Sequence, residues 1–106
     1  MALMQIAVIP LGTPTPGVGD YIVDIERFLL ARGTKHVLHD MGTIIHGRPE
    51  ELLVLAAEIH NLPFVRGAER VVTQITLDDR RDIEREIGEK KDSVINKLRE
   101  PVNHEE

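Results

Sequence analysis

Residues 35–47, KHVLHDMGTIIHG, read as two short strand-forming runs around a tight turn at Asp40–Gly42. A hairpin in the middle of the chain, with helical patterns on both sides of it, decides the fold. Before it, Ile22, Ile25, Phe28 and Leu29 recur at helical spacing from Asp20, and Gly33 is placed to end that helix in a left-handed conformation. After it, Pro49 suits a first helical position, and Glu50 and Glu51 favour the positive helix start. Leu52, Leu53, Ala56 and Ile59 form the inward stripe, and the helix is expected to end before Pro63.

The outer segments complete the pattern. Residues 3–9, LMQIAVI, form a strand, and PLGTPTPG at 10–17 is a loop that cannot continue it. Residues 70–77, RVVTQITL, alternate with Val71, Thr73, Ile75 and Leu77 on one face and Val72, Gln74 and Thr76 on the other. Ile83, Ile87, Val94, Ile95 and Leu98 mark a last amphipathic helix weakened by Gly88. In the run Asp78 to Asp82, Asp79 or Asp82 is expected to cap that helix. The order βαββαβα is an α+β, ferredoxin-like βαββαβ sandwich with an extra C-terminal helix. Residues 1–99 form a single domain and 100–106 a frayed tail.

Two helices cover one face of such a sheet and leave the other open. The first strand has Met4, Ile6 and Val8 on one side and Leu3, Ala7 and Ile9 on the other, so either choice leaves an apolar face bare. Homo-oligomerisation through the sheet is the simplest resolution, because large exposed apolar patches mark interfaces.

Composition narrows the function. The chain has 106 residues, 18 acidic against 13 basic, a formal charge of −5 and 3% aromatics, which argues against nucleic acid and anionic membranes as partners. It has no cysteine, so thiolate catalysis, disulfides and cysteine-ligated metals are excluded and a reducing cytoplasm fits. The apolar start is too short for a signal peptide or a membrane span.

His36, His39 and His46 lie on or beside the hairpin, but alternation sends His36 and His39 to opposite faces, so no metal site is expected. The loop at 11–19, LGTPTPGVG, could wrap a ligand, yet it matches no phosphate-loop or dinucleotide fingerprint. No GxSxG or HExxH occurs. What remains is a polar minority on apolar strands and their ends, namely Gln5, His36, Thr43, His46 and Gln74, suited to orient a small heterocyclic ligand. The same side chains could instead satisfy one another across a subunit interface. A cofactor-free isomerase or oxygenase with His36 or His46 as base, and a purely structural assembly module, are the other readings.

The order of Pro10 to Thr13 (PLGT), Gly42 to Gly47 (GTIIHG) and Arg70 to Arg80 (RVVTQITLDDR) resembles the thiamine-binding-protein family of small ferredoxin-like proteins over about residues 4–99. That family carries G-T-x-x-E-G on its third strand; here His46 stands in place of the Glu, and His36 in place of a Tyr at the second strand. The resemblance implies a homo-oligomer, a tetramer built from sheet-mediated dimers. It also implies a protein that binds thiamine, its pyrimidine portion or a related small molecule without cofactor and without turnover.

Overall fold

The computed structural model describes residues 1–12, 17 and 19–101. Its elements are β1 (Ala2–Leu11), α1 (Gly19–Ala31), β2 (His36–His39), β3 (Gly42–Gly47), α2 (Pro49–Val65), β4 (Arg70–Asp78) and α3 (Glu89–Arg99). The four strands form one antiparallel sheet in the order β2-β3-β1-β4. This is the ferredoxin-like βαββαβ arrangement with an added helix. Residues 13–16 of the PLGTPTPG segment lie outside the described residues, as does the tail from residue 102.

Alternation along β1 sets the two faces. Ala2, Met4 and Ile6 are buried under α1 and α2, where they pack with Ile25, Leu29, Ile45, Leu52 and Ile59. Each fully buried aliphatic side chain contributes about 1.5–3 kcal/mol. The odd-numbered residues point the other way, and Gln5 and Ile9 are exposed there. Across the ladder, Leu3 pairs with His46 and Asp78, and Ala7 with Gln74, which assigns those residues to the same open face. His36, opposite Ile45, is on the helix face, and His39 is on the open face.

The hairpin register is fixed by His39 pairing with Gly42, which leaves Asp40 and Met41 as the turn. Gly33 has φ +64 and ends α1 in the left-handed conformation. Three boundaries differ from expectation. β1 continues through Pro10, because β3 accompanies it only as far as Ile6 and a missing N–H costs no bond on that side beyond this point. α2 passes through Pro63, which is buried in the last turn, and ends at Val65, capped by Arg66, whose N–H donates to the Pro63 carbonyl. α3 starts at Glu89, after Gly88 breaks the chain in a left-handed conformation (φ +91). Asp79 and Asp82 therefore cap nothing; they accept hydrogen bonds from Arg81 and Arg80 respectively.

Candidate functional site

β1 runs on beyond the end of β3, and the notch this leaves is roofed by α1. A cavity of about 270 Å³ occupies it, walled by Ile6 and Val8 of β1, Ile22 and Ile25 of α1, and Leu38 and Met41 of the hairpin. Five polar residues interrupt this apolar lining: Glu26, Thr43 and Gln74, with His39 and Asp40 of the hairpin at its rim.

Glu26 is there because of helical spacing. It follows Ile25 on the inward stripe that runs through Ile22 and Leu29, so the carboxylate is carried under the helix and its side chain is only 18% exposed. A carboxylate in such surroundings needs donors. Thr43, 5% exposed, donates its hydroxyl to Glu26 Oε2 at 3.1 Å. His36 Nε2 lies 3.4 Å from Oε1 on the other side. His36 Nδ1 is 2.7 Å from the Thr34 carbonyl, an acceptor only, so Nδ1 donates there and Nε2 is the nitrogen turned to the carboxylate. The result is a carboxylate held by a hydroxyl and an imidazole at the edge of an apolar chamber. Such a group accepts N–H bonds from a small amine or aminated ring.

The five residues singled out from the sequence do not form one site. Thr43 and Gln74 line the cavity, and His36 stands behind Glu26. Gln5 lies on the open face. His46 is at the far end of the sheet, its side chain 8% exposed and its Nε2 3.8 Å from Glu86. It borders a separate cavity of about 510 Å³ beside α2. Glu86 is held below the usual carboxylate range by its hydrogen bond from Lys35, with the nearby His46 adding to the effect. Among the described residues no group of three or more His, Asp or Glu side chains converges as a metal site, and no helix is long and apolar enough to cross a membrane. Glu26 was the residue missed. Its signal was an acid on the inward stripe of an amphipathic helix, next to Ile25.

A ferredoxin-like sheet with a carboxylate-bearing apolar chamber defines a small α+β domain with a candidate small-molecule site. The family model described as thiamine-binding protein matches residues 4–95, and the chain belongs to that family. It is 39% identical over 98 residues to the UPF0045 protein YqgV of Bacillus subtilis, covering 89% of this chain and 94% of that one. It is likewise 39% identical over 107 residues to a UPF0045 protein of Staphylococcus xylosus, covering 97% of this chain and all (100%) of that one. Among solved structures, a hypothetical protein of Methanocaldococcus jannascii superimposes with a TM-score of 0.76 at 26% identity over 88% of this chain and 94% of its own. A Thermotoga maritima protein, described as a candidate for thiamine biosynthesis or salvage, shares the fold with a TM-score of 0.73 at 20% identity, covering 88% and 97%.

Proposed function

We propose that this protein is a non-enzymatic, oligomeric cytoplasmic carrier or sensor for a thiamine-like ligand, held by its aminopyrimidine ring in the cavity over Glu26. The observation that carries this reading is the Glu26 carboxylate, fixed by Thr43 and His36 inside an apolar chamber. An aminopyrimidine presents an N–H donor beside a ring nitrogen on a flat apolar body, which a carboxylate and aliphatic walls complement. The chamber, about 270 Å³, has room for such a ring. Membership of a family named for thiamine binding supports the same chemistry. His36, the base a cofactor-free enzyme would use, has one nitrogen on a backbone carbonyl and the other on Glu26, which favours binding over turnover. The open sheet face, with Ile9, Val37 and Val72 exposed, supports an oligomer formed through it.

Calorimetry against thiamine and hydroxymethylpyrimidine tests the reading. Saturable binding is expected, with Glu26→Gln weakening it at least about tenfold, or about 1.4 kcal/mol. Equal affinity in the variant, or no heat with either compound, refutes it.

A further inference from the structure

β1 and β4 keep an unbroken register from Leu3 to Leu11, whereas β3 accompanies β1 only as far as Ile6, opposite Thr43. Two observations fix which way the main chain of β1 faces beyond that point. A Cβ at Gly42 would fall 2.8 Å from the Ile6 carbonyl oxygen, so Ile6 turns its backbone groups toward β3. In an antiparallel ladder a residue presents both its N–H and its C=O to one neighbouring strand, and the next residue presents both to the other. Ala7 and Ile9 therefore face β4, opposite Gln74 and Val72, while Val8 and Pro10 face the side that β3 has left. Pro10 agrees with this parity, because a residue without an N–H fits on the side where no strand requires one.

Val8 lines the cavity over Glu26, and among the described residues no strand supplies a partner for its N–H and C=O on that side. A main-chain donor and acceptor set in an apolar wall are satisfied by water or by a ligand. A partner strand would have offered them an acceptor beside a donor. A flat ring with a bare nitrogen next to an amino-bearing carbon carries the same pair on one edge. Resting on the reading that Glu26 receives an amino ring, we infer that the Val8 main chain is the other half of the recognition. Its N–H donates to the ring nitrogen and its C=O accepts one amino hydrogen, which leaves the second amino hydrogen for the Glu26 carboxylate. The ligand class is then an amino-substituted ring with an adjacent unprotonated nitrogen. An oxo counterpart, with a carbonyl in place of the amino group and a protonated nitrogen beside it, also pairs with the strand edge but brings no donor to Glu26. A carboxylate that loses water to a ligand and gains no hydrogen bond from it opposes binding. Thr43 holds Glu26 and the β1–β4 ladder holds Val8, so both halves of this selection are built on fixed elements.

Amide hydrogen exchange of the unaltered chain, followed by nuclear magnetic resonance with and without hydroxymethylpyrimidine, tests the inference. In the free protein the Val8 amide is expected to exchange faster than those of Ala7 and Ile9, which the β1–β4 ladder protects. Saturating hydroxymethylpyrimidine is expected to slow Val8 at least about tenfold and to leave Ala7 and Ile9 as they were. In calorimetry the oxo counterpart is expected to bind at least about tenfold more weakly than the amino compound. A Val8 amide as protected as its neighbours before the ring is added overturns the inference. So does a Val8 exchange rate that the bound ring leaves unchanged, or equal affinity for the amino and oxo compounds. Failure of the underlying reading has a different signature: no heat with hydroxymethylpyrimidine, or equal affinity in Glu26→Gln, overturns both together.

Discussion

The candidate site depends on where single residues stand. Gly42 opens β3 at the cavity wall with φ +153, and a Cβ there would come within 2.8 Å of the Ile6 carbonyl oxygen. Backbone cannot give way as a side chain can, so Gly42→Ala is expected to lose about 1–3 kcal/mol in urea unfolding, with the hairpin distorted beside Thr43. Of the site, Thr43 and Gln74 were legible in the sequence because polar residues on apolar strands are few. His36 and His46 looked equivalent there, and only the ladder shows one under α1 and the other at the far end of the open face. Glu26 was hidden because acidic residues on helices ordinarily face water, and its inward position is settled by the packing of α1 on the sheet.

At the scale of elements, periodicity identified every strand and helix, and local chemistry misled only at their ends. Pro63 was read as a stop, but within a last turn it forfeits one bond and gains burial in the core, so α2 continues. The charges of residues 79–82 were read as helix caps, but they pair with one another and Gly88 delays α3. α1 and α2 run antiparallel, tied by Arg66 to Asp24 and Arg32 to Glu58. The Arg66 hydrogen bond holds the Asp24 carboxyl below the usual carboxylate range, burial opposing it in part. A depressed folded pKa means that the stabilisation is complete above the unfolded value near pH 4 and is lost as pH falls through the folded one. Both partners are partly solvated, so Asp24→Asn is expected to cost no more than about 1 kcal/mol at pH 7. The difference from the parent should shrink in acid unfolding as pH falls through the lowered folded-state value and vanish below it, where both carry a neutral side chain.

The whole molecule has more apolar surface than its two covering helices shield. α3 buries none of its residues, with Val94 and Leu98 exposed, and an isolated helix of 11 residues is marginal in water. The described chain is 61 Å long and only 29 × 21 Å across, an outline drawn out rather than rounded. A second copy over the open face would shorten that exposure, so Val37→Glu is expected to lower the mass seen by light scattering while leaving the far-ultraviolet circular dichroism unchanged. An unaltered mass would place the oligomer contact elsewhere. Ligand binding is the centre of the proposed function, and a crystal structure grown with hydroxymethylpyrimidine tests it most directly. Density for the ring is expected in the notch between β1 and α1, with its amino group within about 3 Å of the Glu26 carboxylate. A ring bound away from Glu26, or a notch empty at saturating ligand, would contradict it.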